Sequence, residues 1–235
     1  MRFIDSSETD IYFHLAAEEY LLKQGTEDVF MLWQDMASVV IGKHQRVQAE
    51  VNLDFVREKG IPVARRFSGG GTVYHDSGNI NLTFIETTKS AYFDKYLERT
   101  KNFLASVGIA AHSDERMGIY VNGLKVSGSA QCIHKDRAMY HCTLLYDTDL
   151  QLLATSIEAK PVSVFSGYAV PSVRSAVTNI KEYLDKPFTV SEFREYAFRF
   201  FALGQSTDSF TDLERQAILR LRNEKYMTEE WIYAK

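Results

Sequence analysis

The sequence predicts an α+β fold, with a mixed, mainly antiparallel sheet flanked by helices. Three observations predict it. Short β-rich segments fill the middle of the chain, helical periodicity fills its last third, and hairpin signals replace the regular strand–helix alternation of a doubly wound sheet. No repeat, low-complexity stretch or linker-like composition interrupts the chain, and the four prolines are scattered, so residues 1–235 are expected to form one domain.

Each element follows from local pattern. His14 to Leu22 places apolar residues at helical spacing. Val29 to Trp33 and Ser38 to Gly42 are short, apolar and β-rich, with Asp35 expected as the turn residue between them. Asn52 to Lys59 is a short amphipathic helix, capped by Asn52 and stopped by Gly60. Pro62 to Phe67 and Asn79 to Ile85 read as strands on either side of a glycine-rich connection, and Tyr92 to Val107 as a helix ending at Gly108. Gly118 to Ala130 contains Asn122-Gly123, a strong two-residue hairpin signal. Tyr140 to Tyr146 is a further strand and Leu150 to Ile157 a turn or two of helix. Ser191 to Leu203 and Thr211 to Lys225 complete the helical third.

Composition excludes several classes of function. With 15 Phe and 13 Tyr the chain can bury a sizeable core, so it is not a disordered protein. The 27 Lys+Arg against 31 Asp+Glu give a formal charge of −4, which argues against a general nucleic-acid coat. No apolar run approaches the roughly 20 residues of a membrane helix, and Met1 to Asp5 lacks the layout of a signal peptide. Two cysteines, Cys132 and Cys142, cannot build a disulfide framework and suit a reducing cytoplasm.

Two segments carry chemistry. The first, Arg65 to Asn79, holds Gly69-Gly70-Gly71. Three glycines in a row cost backbone entropy, so the chain there either turns tightly or approaches a ligand with its N–H groups forming an anion-binding nest. Two arginines just upstream favour the nest, since guanidinium groups match phosphate and carboxylate geometry. Neither a Walker ending nor a Rossmann glycine pattern is present. The second segment is Val121 to Gln131. Strand alternation puts Lys125, Ser127 and Ser129 on one face and Val126, Gly128 and Ala130 on the other, giving a cationic, uncrowded surface. The plainer reading of a single lysine is a solvated side chain.

Together these residues resemble the lipoate–protein ligase A family, whose catalytic domain is similar to that of the biotin–protein ligases. Its first hallmark stands as Arg65 to Asn79 and its second, Lys-Val-Ser-Gly-Ser-Ala, as Lys125 to Ala130. Leu15 to Glu19 resembles the first helix, Leu32-Trp33 with Val39 to Gly42 the strand pair over the acyl pocket, His141 with Thr143 to Leu145 a later strand, and Ser172 to Asn179 a late loop. The resemblance runs in order from about the N-terminus to Trp231.

The resemblance implies a two-step reaction. Lipoate and ATP give lipoyl-adenylate and pyrophosphate, and a lysine of an apo lipoyl domain then takes the acyl group. Bringing a carboxylate against an α-phosphate demands fixed positive charge where charge develops. By resemblance Lys125 is the catalytic residue and touches both substrates. Arg66, Gly71, Thr72, Val73 and Tyr74 would hold ATP, while Trp33, Gly70, His75 and His141 would line the lipoate slot, with Val40 and Gly42 nearby. Mg²⁺ is expected on the phosphates, with Asp76 as an indirect contributor and no metal site built from the protein itself. The implied acceptors are lipoyl domains of 2-oxoacid dehydrogenase complexes or the glycine cleavage H protein.

Three other readings stand beside this one. An octanoyl or lipoyl transferase would work without ATP through a cysteine thioester. Neither the loop His112 to Gly118 nor the loop Lys160 to Val170 carries the cysteine such enzymes use. However, Cys142 stands where ligases usually have glycine and Cys132 where arginine is common. A zinc site from Cys132, His134, His141 and Cys142 would need four convergent side chains, which neighbours on a strand do not provide. A non-catalytic lipoate or nucleotide sensor would not need Lys125 and Arg66. The element Trp231-Ile232-Tyr233-Ala234 resembles the one that closes the family's catalytic domain, with alanine for the usual glycine. No C-terminal accessory domain is therefore expected within the chain, and a separate accessory protein is a candidate partner.

Overall fold

The computed structural model describes residues 1–89, 92–157 and 170–234. Among the described residues, ten strands form two sheets. A large sheet takes the order β1 (Arg2–Asp5), β2 (Val29–Trp33), β6 (Asn79–Thr87), β10 (Arg137–Leu145), β9 (Leu124–His134), β8 (Ile119–Val121) and β7 (His112–Ser113). A small sheet sets β3 (Ser38–Ile41) between β4 (Val63–Arg65) and β5 (Val73–His75). β1–β2 and β3–β4 are parallel and the other pairings antiparallel. The expected mixed, mainly antiparallel α+β architecture is therefore observed.

Register separates two jobs. Phe30, Leu32, Ile80, Leu82, Phe84, Tyr140, Cys142 and Leu144 point to one face, where they pack with aromatic residues of α4 (Phe93–Ser106) and α6 (Val190–Phe201). The alternate positions Met31, Trp33, Ile85 and Met139 meet α1 (Ile11–Gln24) and α7 (Asp212–Leu221) on the opposite face. Because side chains alternate strictly along a strand, a one-residue slip would exchange these two sets. The small sheet has its own core, in which Val39, Ile41 and Tyr74 pack with Val47 of α2 (Val47–Glu50) and Val56 of α3 (Leu53–Glu58). α5 (Leu150–Ser156) and α8 (Glu229–Ile232) flank it.

Boundaries move where caps decide them. Asp10 accepts the Tyr12 N–H and starts α1 three residues before the periodic stretch. Asn52 caps α3 as expected, and Gly60 and Gly108 follow their helices with φ of +66° and +86°. Asn122 and Gly123 adopt φ of +49° and +81°, the positive pair a two-residue hairpin turn requires. Thr189 and Thr211 both make capping boxes, on α6 and α7. The last expected helix divides into α7 and a π-turn over Arg222–Tyr226.

Arg2 and Glu214 join the first strand to the start of α7 through a two-pronged pair at 2.6 and 2.8 Å. The Arg2 guanidinium, aided by the Thr211 N–H and opposed by burial, holds the Glu214 carboxyl at about 2 instead of 4.5. A depressed carboxyl stabilises the fold fully above its unfolded value and loses that contribution as pH falls through the folded one. Stability should therefore decline between about pH 4.5 and pH 2, and Glu214→Gln should flatten that part of the pH profile in urea-unfolding curves.

Candidate active site

A cavity of about 330 Å³ lies between the second face of the large sheet and the small sheet, and a neighbouring lobe of about 340 Å³ shares Thr72, Val73, Lys125, Gly128, Thr143, Ser172 and Val173 with it. Nine of the sequence-predicted residues line the first lobe: Trp33, Arg66, Gly70, Gly71, Thr72, Val73, His75, Lys125 and His141. Tyr74 lines the second, while most of its side chain packs in the small-sheet core at 1% exposure.

Lys125 stands at the junction. Its backbone N–H donates to Ala176 and its carbonyl accepts from Thr178, so the late loop fixes the strand from which it projects. The side chain curls along its own strand: a Cβ on Gly128 would lie 3.7 Å from Nζ, and one on Gly118 3.0 Å from Cε. Among the described residues Nζ makes no hydrogen bond and no ion pair. Burial pulls the ammonium below the usual lysine range, Asp114 opposing and Arg116 reinforcing the shift. A half-buried cation with no counter-ion is costly until an anion arrives.

The expected strip of serines beside it forms only in part: Ser129 borders the first lobe and Ser127 the second. Ser127 and Ser129 pair in register with Leu144 and Cys142, residues of the aromatic core, and Ser127 is 1% exposed. Gly128 and Ala130 pair with Thr143 and His141 and face the cavity with Lys125. The cause is a register shift between Ile119 and Tyr120, which breaks the simple alternation between Lys125 and the residues after it.

Both arginines act differently from the expected anion clamp. The Arg65 side chain, 1% exposed, donates to the carbonyls of Gly42, Lys43, Gln45, Trp231, Ile232 and Ala234. Arg66 donates to Ser68 Oγ and to the carbonyls of Val40, Gly69 and Gly71, so its guanidinium shapes the glycine loop from inside. Burial lowers it to about 10, with Glu18 opposing. Only Gly70 of the three loop glycines needs a positive φ, at +89°. Its carbonyl lies 2.1 Å from where a Cβ on Gly42 would stand, so strand β3 and the loop meet backbone to backbone. The N–H groups of Gly69, Gly70 and Gly71 have no partner among the described residues, whereas that of Thr72 donates to Ser172 Oγ at 2.9 Å.

A buried hydrogen-bond chain ties these parts together. Trp33 Nε1 donates to Thr83 Oγ1 (2.8 Å), whose hydroxyl donates to Glu18 Oε1 (2.6 Å). The same oxygen accepts from His141 Nδ1 (2.9 Å), and Ser68 Oγ lies 2.8 Å from His141 Nε2 and accepts from Arg66 Nε. A second chain runs from Ser6 through His14 to Asp35 and His75. Asp35 is thus no surface turn: it is 1% exposed and bound to two histidines. Burial would raise its carboxyl, but His14 and His75 outweigh that and hold it low.

Sequence reasoning missed Glu18, Asp35, Asn81 and Ser172 as parts of this site. Glu18 stands three residues after Leu15 on one helix face within Leu15 to Glu19, a signal that could have found it. Asp35 and Asn81 carried none.

The cysteines lack the features of a thioester nucleophile. Burial pushes both thiols up to about 12. They also point to opposite faces: Cys142 lies in the aromatic core, and Cys132 packs against the cluster on the other face. Among the described residues no group of three or more His, Cys, Asp and Glu side chains could hold a metal ion. The loop Lys160 to Val170, one of two places where such a transferase carries its cysteine, lies outside the described residues except for Val170. A Cys132→Ser/Cys142→Ala double variant is expected to keep at least about half the rate of the two-step reaction that the resemblance implies, in a gel-shift or mass assay. A thioester mechanism would abolish it.

The chain belongs to the lipoyl protein ligase A/B catalytic-domain family, whose model matches residues 10–202. It is an enzyme of the lipoate ligase or transferase kind. It is 34% identical over 243 residues to lipoate–protein ligase 1 of Staphylococcus aureus, covering 100% of this chain and 74% of that one. It is also 33% identical over 247 residues to a mitochondrial lipoyl amidotransferase of Homo sapiens, covering 99% and 65%. The fold matches lipoate–protein ligase A bound with ATP at a TM-score of 0.84, 24% identity and 99% and 98% coverage. It matches the bipartite lipoate protein ligase of Thermoplasma acidophilum, described with its E2 lipoyl domain, at 0.82, 24% identity and 99% and 95% coverage.

Proposed function

We propose that the chain activates lipoate with ATP to lipoyl-adenylate and passes the lipoyl group to a specific lysine of apo lipoyl domains. The observation that carries this reading is Lys125, an unpaired, half-buried cation where two lobes meet. Lipoate would extend into the lobe of Trp33, Gly70, His75 and His141 with its carboxylate at Nζ. The nucleotide would occupy the second lobe, its phosphates received by the glycine-loop N–H groups and the Thr72 to Tyr74 backbone. A carboxylate oxygen then bonds to the α-phosphorus as the bond to the bridging oxygen breaks and pyrophosphate leaves. Nζ stabilises the charge on both reacting groups without giving up its proton. In the second step the acceptor amine bonds to the acyl carbon and AMP departs. Arg66 acts by holding the loop, and Glu18 by orienting His141.

Mg²⁺ enters here as part of the substrate, on the phosphates of ATP. Asp76 does not fit a metal-binding role: its two carboxylate oxygens accept from the Gly78 and Asp149 N–H groups, and it lies outside the lining of both lobes. Acceptors would be lipoyl domains of 2-oxoacid dehydrogenase complexes or the glycine cleavage H protein. The T. acidophilum system, named as bipartite, favours a separate accessory protein as a further partner, with residues 1–235 as the catalytic unit. Two unpaired thiols suit a cytoplasmic setting. Among the described residues no helix is long and apolar enough to cross a membrane.

The human amidotransferase relative favours a second reading, in which the acyl group arrives already activated. One experiment separates the two: the intact mass of an apo lipoyl domain after incubation with the chain, lipoate and Mg-ATP. An ATP-dependent gain of one lipoyl group supports the ligase. A gain only with pre-formed lipoyl-adenylate supports a ligase that needs a separate accessory protein for activation, and no gain from either overturns the ligase reading and leaves a transferase that takes its acyl group from another donor.

A further inference from the structure

The chain carries a net charge of −4, yet three lysines converge on one aromatic ring beside the first lobe. Lys23 Nζ lies 4.5 Å from the centre of the Phe67 ring, Lys43 Nζ 5.0 Å and Lys225 Nζ 5.2 Å. Lys225 Nζ also lies 3.8 Å from the ring centre of Trp231. A ring draws in cations within about 6 Å, but the cations repel one another. Glu19 answers two of the three, accepting from Lys23 and Lys225 at 2.6 Å each. Burial would raise the Glu19 carboxyl, but Lys225, Lys23 and Tyr226 outweigh that and hold it low. Lys43 is exposed and has no ion pair among the described residues. Position ties this patch to the cavity. Phe67 follows Arg66, Lys43 stands three residues after Val40, and Cys132, packed against the same cluster, stands two after Ala130. Arg66, Val40 and Ala130 all line the first lobe. The Lys43 N–H donates to the Ser68 carbonyl at 2.9 Å, fastening the patch to the glycine loop.

We propose that Lys23, Lys43 and Lys225, spread round Phe67, form the surface on which the lipoyl-domain acceptor docks, through acidic side chains that flank its target lysine. The inference rests on the ligase reading for the identity of the acceptor. An acceptor must bring its lysine toward Lys125, a cation with no counter-ion, and acidic neighbours offset that repulsion. A domain bearing such neighbours is repelled by the chain as a whole, so a local cationic surface beside the lobe decides where it lands. Phe67 and Trp231 supply the apolar ground under the lysine stems.

The test measures transfer from pre-formed lipoyl-adenylate to an apo lipoyl domain by the full chain, with acceptor and adenylate varied separately. Lys43→Glu is expected to raise the acceptor KM about five- to tenfold at about 50 mM salt, and Lys43→Ala about two- to threefold. At about 0.5 M salt both differences should shrink to within about twofold, because exposed charges are screened. The Lys43 side chain lies outside the lining of both lobes, so kcat and the adenylate KM should stay within about twofold of the unsubstituted chain. An unchanged acceptor KM overturns the proposal, hands the patch to another acidic partner and leaves the ligase reading standing. A change carried by kcat or by the adenylate KM overturns it too. No transfer by the unsubstituted chain overturns both.

Discussion

Lys125→Ala is expected to slow adenylate formation by about 10²–10³-fold, the usual loss when one charge-stabilising group is removed from where charge develops. Stability should behave in the opposite way from that of an ordinary buried residue. Nζ has no hydrogen bond or ion pair among the described residues and is desolvated, so its removal relieves an uncompensated charge, and the variant should unfold at the same or a higher urea concentration. Lys125→Arg should not restore the rate. The Lys125 stem already lies 3.0 Å from the Cβ position of Gly118, and a planar fork needs width where a point charge does not. Pyrophosphate release measured beside urea curves checks both halves. A variant that lost activity and stability together would show a structural lysine.

Arg65→Ala is expected to have the largest effect on stability, a loss of about 3–5 kcal/mol. One guanidinium serves six backbone carbonyls, three from the segment after β3 and three from the C-terminal residues Trp231, Ile232 and Ala234. Each buried carbonyl left unmet costs roughly 1–3 kcal/mol, partly recovered where water enters. The Trp231 indole, which donates to the Arg65 carbonyl at 2.8 Å, closes the same arrangement from the other side. Arg65→Lys should rescue little, since an ammonium has three donors and cannot span both segments. Urea unfolding gives the magnitude, and hydrogen exchange at Trp231 to Ala234 should report their release first.

Much of this was readable because local chemistry determined it. Asn122-Gly123 makes its turn from two residues, and Asn52 makes its cap from one. The triple glycine stood out because three in a row cost backbone entropy, and Lys125 because it opens Lys-Val-Ser-Gly-Ser-Ala right after the Asn122-Gly123 turn. What escaped the sequence depends on partners far along the chain. The two arginines read as anion binders because guanidinium suits phosphate, but the carbonyls that claim Arg65 lie 20–23 and 166–169 residues away, and Arg66 bonds Val40, 26 residues back, besides its own glycine loop. Asp35 read as a turn residue because aspartate favours turns, yet His14 and His75 enclose it. β1 has no periodicity to reveal it in four residues, and it exists because β2 offers an edge. The bulge at Ile119 and Tyr120 spoiled the serine alternation, and no residue there announces it.

The strict alternation in β2, β6 and β10 has a consequence for how this molecule could change over generations. On one parity lie Phe30, Leu82, Phe84 and Tyr140, whose replacement would be felt as loss of fold. On the other, toward the cavity, lie Trp33, Asn81 and His141, whose replacement would be felt as altered taste for the acyl chain. Neighbours in the gene thus answer to different selective pressures. A library randomised only at cavity-facing positions would explore new substrates while leaving the inherited scaffold nearly untouched.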